Sequence, residues 1–212
     1  MRKRSTISCR RRGSTCSAGS DVDLCALRRG FKAEAERISL RIRGELGLTA
    51  HDRLDCELLA AHLEIPVLGL EGLVESGASP KSVARLASQE ARFSALTLCV
   101  GARRLIVYNP AESPGRHANS LAHELSHVLL DHPTEPPLDG AGCRRWNGAV
   151  EEEADCLAGT LLVPRDGAVW WLGNGRSLPA GATHFGVSER LFTWRANHTG
   201  VIRQLRAAGY AL

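Results

Sequence analysis

The densest chemistry in the sequence begins at His123-Glu124-Leu125-Ser126-His127. Just upstream, Ser113-Pro114 reads as a helix start, because Ser is a good N-cap and Pro is tolerated at the first helical position. The helix should run to about Asp131 and stop before Pro133. At about 100° per residue, the two histidines stand about 40° apart and one turn along the axis, so both imidazoles can reach one tetrahedral metal ion such as zinc. Glu124 lies about 80° to the side of their mean direction, which is poor for a ligand and good for a general base on an attacking water. Ala118, Leu121, Ala122, Leu125, Val128 and Leu129 share one arc of the same wheel, and Ser120, His123, Glu124, His127 and Asp131 share the opposite one. One face therefore anchors the helix and the other looks into a cleft.

A catalytic zinc takes three protein ligands and keeps a position open. Downstream candidates are His132, Asp139 and the run Glu151-Glu152-Glu153-Ala154-Asp155. His132 falls five residues after His127, about 140° round a continuing helix, and is read as non-liganding. A third histidine six residues after His127 with an intervening Gly would mark a metzincin; Pro133 and Leu130 occupy those places, which excludes that class. The acidic run belongs to a helix expected from about Asn147 to Val163, ended by Pro164. On its wheel Val150, Ala154, Leu157, Ala158 and Leu161 form the apolar stripe. Glu151 and Asp155 border it, Glu153 sits on the far margin, and Glu152 points away. Glu151 is thus the expected third ligand, with Glu153 as the alternative.

The elements that must position these groups follow from punctuation and periodicity. Phe31, Ala35, Ile38, Ile42 and Leu46 recur by threes and fours from Gly30 to Gly47, and a second helix is expected over about Asp52 to Leu63. Pro66 to Leu70 reads as a short strand, Ser79-Pro80 opens a helix to about Glu90, and Phe93–Val100 with Arg104–Tyr108 read as a hairpin through Gly101-Ala102. Residues 132–146 form a Pro/Gly-rich loop where a lid would lie, 173–183 a Gly/Pro loop, and Ser188 caps a last helix to about Ala196.

Composition bounds the rest. The chain has 212 residues, 43% of them hydrophobic, enough for one well-buried core. Its net charge of +4 is uneven: residues 1–30 hold eight basic residues against Asp21 and Asp23, a local +6, which leaves −2 elsewhere. The near-neutral body gives no sign of strong nucleic-acid binding beyond a weak contribution of the tail. Residues 1–28, rich in Arg and Ser and without apolar periodicity, are expected to be a disordered tail, and 29–212 a single domain; deleting 1–28 should leave the metal chemistry intact. Seven cysteines without a C-x-x-C pair suit free thiols in a reducing cytoplasm. No apolar stretch approaches a membrane span.

The His123-to-Leu130 segment, the Glu151-to-Asp155 run and its continuation Ala158-Gly159-Thr160-Leu161-Leu162-Val163-Pro164 together resemble the ImmA/IrrE family of metallopeptidases. The likeness spans about residues 30–200 and is strongest at the two helices. Departures at Ser120-Leu121 and Leu157-Ala158 fall on packing positions. The resemblance implies an α+β, zincin-like metallopeptidase domain with a small β-hairpin or sheet beside the histidine helix. It implies one Zn2+ per chain on His123, His127 and Glu151, Glu124 as catalytic base, and Asp155 orienting a ligand histidine. The strand Arg104–Tyr108 would offer an edge to an extended substrate, and Tyr108, Arg116, His184 and His198 stay open as oxyanion helpers. The implied substrate is a helix-turn-helix repressor of a prophage, mobile element, stress or defence locus. A rival reading rests on Phe185-Gly186-Val187-Ser188-Glu189-Arg190, which looks like the turn of a DNA-binding helix-turn-helix: a regulator with a vestigial metal site. Against it stands the missing preceding helix in the Gly/Pro-rich 173–183 stretch.

Overall fold

The computed structural model describes residues 27–87, 94–100, 103–133 and 148–210. Expectations placed on residues 1–26, 88–93, the Gly101-Ala102 turn, Asp139 and most of the 132–146 loop lie outside the described residues. The protein is α+β. In chain order come α1 (Phe31–Glu45), α2 (Cys56–His62), β1 (Val67–Gly69), α3 (Leu70–Glu75), α4 (Pro80–Ala87), β2 (Ala95–Val100), β3 (Arg103–Tyr108) and α5 (Pro114–Leu129). They are followed by α6 (Gly148–Leu162), α7 (Arg165–Gly173), α8 (Leu178–Phe185), α9 (Glu189–His198) and α10 (Val201–Ala207).

Two departures from the sequence reading matter for function. Within the stretch 173–183 expected as loop, the helix α8 begins at Leu178 and runs to Phe185. The Ser177 side chain accepts from the Ala180 amide, a proline sits in the first turn, and Gly181 leaves room for the Phe192 ring, which a Cβ would meet at 2.5 Å. Gly186 then takes φ 69°, the left-handed conformation that ends α8, and Ser188 caps α9. The objection that no helix precedes the Phe185–Arg190 turn is thereby removed. The second departure is in the sheet, whose order is β1-β3-β2. β2 and β3 pair antiparallel as the hairpin reading expected, but β1 pairs parallel to β3, Val67 opposite Ile106. β3 is therefore central, and Arg104–Tyr108 is no substrate edge. Among the described residues the outer strands are β1 and β2, with the outer edge of β2 beside α5.

The sheet divides two apolar clusters. Ile106 packs with the main core, and Val107, its neighbour on the opposite face, packs with Leu70 and Val83. In the main core α5 and α6 make the most extensive helix–helix contact, with Leu121, Ala122 and Leu125 against Leu157, Ala158 and Leu161, all at most 1% exposed. These are positions the two wheels assign to the apolar stripes. None of the helices among the described residues is long and apolar enough to cross a membrane.

Three buried donors fix the far end of α6. Thr160 O has no helical partner because residue 164 is proline and lacks an N–H; Ser39 Oγ donates to it at 3.0 Å. Arg43 donates to Leu161 O (2.8 Å) and Leu162 O (3.5 Å), and Arg195 Nε to Val163 O (3.0 Å). α1 and α9 thus grip four successive carbonyls of the α6 terminus. Arg195 is itself matched by Glu36, 2.8 Å away.

Candidate metal centre

α5 starts where Pro114 fills the first helical position after the extended Ser113, although the Ser113 side chain makes no capping bond. α5 presents His123 and His127, and the first turn of α6 presents Glu151 across the α5–α6 interface. The Nε2 atoms of the two histidines are 3.1 Å apart. Glu151 Oε2 lies 3.3 Å from His123 Nε2 and 3.8 Å from His127 Nε2. Donors on a tetrahedral zinc with bonds of about 2.0–2.1 Å are separated by about 3.3–3.4 Å, so this triangle has the dimensions the ion needs. Among the described residues His123, His127 and Glu151 form the group able to hold a metal ion, and two imidazoles with one carboxylate are a catalytic zinc donor set.

What stands behind the donors decides which ring nitrogen is bare. His123 Nδ1 is 2.8 Å from Asp155 Oδ1; a carboxylate only accepts, so Nδ1 carries the proton and Nε2 can offer its lone pair. Burial acts to lower the His123 pKa, but the Asp155 hydrogen bond and charge, with Glu124 and Glu151, leave it raised. His127 behaves oppositely: burial first, then the neighbouring His123 and His132, push it down to about 4. His127 is therefore neutral and ready to ligate near pH 7.

Glu124 points away from the donor triangle, as the wheel requires. Its Oε2 accepts from the Thr97 amide (2.9 Å) and the Thr97 hydroxyl (2.6 Å) on β2. Asn109 N donates to Ser94 O, and the alternation of an antiparallel ladder then turns the amides and carbonyls of Ala95, Thr97 and Cys99 to the outer edge. Glu124 takes up one of those edge donors. Sequence reasoning missed Thr97, because nothing local marks a residue 27 positions from its partner.

It also missed His132. The wheel continued the helix past Leu130, but Asp131 adopts φ 50° and closes a Schellman turn: Asp131 N donates to Val128 O, and His132 N to His127 O at 2.9 Å. His132 is folded back under the site, 8% exposed, with Nδ1 2.9 Å from His127 Nδ1. It lies outside the donor group, as expected. Glu153, the alternative third ligand, faces His132 instead: Glu153 Oε2 is 3.5 Å from His132 Nε2. The open candidates for oxyanion help have their contacts elsewhere. Tyr108 meets His117, Arg116 pairs with Glu112, His184 bonds His51 O, and His198 stacks on Trp194.

A family model for the IrrE N-terminal-like domain, Peptidase_M78, matches residues 78–196. No protein with a curated description matches the chain. The matched span is more than half of the chain, runs from α4 to α9 and contains His123, Glu124, His127 and Glu151. Membership suggests a metallopeptidase, and a peptidase implies a protein substrate. With the family's span and the donor geometry falling on the same two helices, the chain belongs to the Peptidase_M78 family of IrrE N-terminal-like, or ImmA/IrrE, proteins.

Proposed function

We propose that the protein is a zinc-dependent endopeptidase that inactivates a helix-turn-helix transcriptional repressor by cleaving it in the cytoplasm. The observation that carries the peptidase reading is the His123–His127–Glu151 triangle with Glu124 one residue from a ligand and off the donor axis. Zinc bound there would acidify the attacking water and polarise the scissile carbonyl. Glu124 accepts the water's proton and returns it to the leaving amine, while Asp155 keeps His123 in the ligating tautomer. The outer edge of β2 pairs with an extended segment of the substrate, which favours an unstructured stretch of the partner over a folded surface. The repressor as substrate rests on the family resemblance. The buried thiols Cys56 and Cys156 suit a reducing compartment; burial pushes the Cys56 thiol up to about 12.

Elemental analysis of purified protein and of the Glu124→Gln variant tests the proposal, together with co-expression of a candidate repressor encoded beside the gene. One zinc per chain is expected in both, with cleavage reduced about 10²–10⁴-fold in the variant. No metal in the wild type, or undiminished cleavage by the variant, overturns the mechanism. Full zinc occupancy in Glu151→Gln would move the third-ligand role to Glu153. A second reading, a DNA-contacting regulator, is favoured by one observation: α8, the Gly186–Ser188 turn and α9 supply the helix pair that reading requires. A mobility shift on the gene's own upstream DNA, retained in Glu124→Gln, would support it.

A further inference from the structure

The two histidines of the donor triangle are each backed at Nδ1, but by different devices. His123 leans directly on a carboxylate, Asp155. His127 leans on a second imidazole, which is buried and itself faces a carboxylate. For His127 to ligate through Nε2, its single proton must sit on Nδ1. At 2.9 Å that proton can only be donated to His132 Nδ1, which must then be bare. A neutral His132 with a bare Nδ1 carries its proton on Nε2, the atom turned toward Glu153 Oε2 at 3.5 Å. Proton placement is therefore consistent from His132 to the His127 lone pair, while His132 Nε2, buried without a hydrogen bond among the described residues, has the Glu153 carboxylate as the charge it faces.

The line is anchored at both ends. At its outer end Arg28 Nε donates to Glu153 Oε1 at 2.8 Å, Arg28 Nη1 pairs with Glu34 at 2.7 Å, and the guanidinium lies over the Phe31 ring. One Glu153 oxygen is thus occupied and the other is left for His132. At its inner end the left-handed Asp131 fixes the His132 backbone, whose amide bonds the carbonyl of His127 itself. His132 is tied to the same residue through main chain and side chain.

We infer that His132, backed by Glu153, is a positioning residue that sets the tautomer and ring plane of His127 for metal binding. This rests on the reading of His123, His127 and Glu151 as a metal site, and adds to it a role for two residues outside the donor set. Outer partners of ligand histidines typically contribute 10–100-fold to metal affinity.

The test uses the full chain and Zn2+ alone, with affinity measured by competition against a chromophoric chelator, and Co2+ spectra as a check on coordination. His132→Leu removes the acceptor at similar bulk, His132→Gln restores one through its amide oxygen, and Glu153→Gln weakens the backing. Expected are one zinc per chain throughout, a 10–100-fold weaker affinity for His132→Leu, substantial recovery in His132→Gln, and a smaller loss in Glu153→Gln. A purely structural role would lower the melting temperature of the metal-free variants and leave the affinity of the folded protein unchanged. An affinity within twofold of wild type in folded His132→Leu therefore overturns the inference while leaving the metal site standing. Failure of the wild type to bind zinc overturns the metal site and this inference with it. Should His132→Leu not fold, His132→Gln and Glu153→Gln decide: equal affinity to wild type in Glu153→Gln and a tenfold or greater loss in His132→Gln refute the chain of acceptors.

Discussion

His123 and His127 stand 3.1 Å apart at Nε2, yet their proton affinities are displaced in opposite directions. Burial disfavours the charged form of both, and only His123 has a carboxylate hydrogen-bonded to it to reverse the effect. A third histidine, His198, lets the same physics be measured away from the donors. Burial, then the charges of Lys32 and Arg195, lower its pKa. The unfolded chain takes up a proton near pH 6.5 that the folded chain refuses until lower pH, so stability is retained above that value and lost as pH falls through the window. Melting curves should show a smaller loss of Tm between pH 7.5 and 5.5 in His198→Gln than in wild type; an equal loss would remove His198 from the account. At this scale the wheels anticipated which way the side chains of His123, Glu124, His127 and Glu151 face, because each lies inside a regular helix. They failed for His132, where one left-handed residue, Asp131, breaks the angular arithmetic.

α6 carries Glu151 in its first turn and Asp155 one turn further on but is gripped at its end, where Ser39, Arg43 and Arg195 satisfy the carbonyls of residues 160–163. Arg43 is 1% exposed and also donates to Thr49 O and Asp52 O. Arg43→Met would strand several buried carbonyls at once, a cost of about 2–4 kcal/mol, read as a fall in Tm of roughly 5–15 °C. A Tm within 2 °C of wild type, on the order of 1 kcal/mol or less, would show the carbonyls to be satisfied otherwise. Helices with clear apolar stripes, α1, α5 and α6, were legible to within a residue or two. α8 was not, since Gly181 and Pro179, ordinarily breakers, serve here as a slot for Phe192 and as a first-turn residue. The hairpin was legible from local alternation. The pairing of β1 with β3 spans some forty residues of chain and leaves no local mark.

Over the whole molecule, the residues that the family model matches are not the only ones that hold the candidate site. The matched span begins at residue 78, whereas Phe31, Ala35, Ser39, Ile42 and Arg43, all from α1, are buried against or bonded to the α6 side of the core. A chain beginning at Leu27 should keep its Tm and zinc stoichiometry, and one beginning at Thr49 should lose cooperative unfolding in calorimetry. Retention of a sharp transition in the shorter chain would show α1 to be dispensable. The tail's positive charge also changes meaning: Arg28 is spoken for by Glu34 and Glu153, so a cut after residue 28 differs from a cut after residue 26. The Thr97 amide is an edge-strand donor whose proton is covered by a side chain, Glu124, and not by a neighbouring strand. In the mechanism proposed above Glu124 turns toward the cleft, which leaves that proton bare to solvent or to an incoming backbone carbonyl. Isotope exchange at this single amide would thus read out the orientation of Glu124, slow while its carboxylate covers the proton and faster once it turns away.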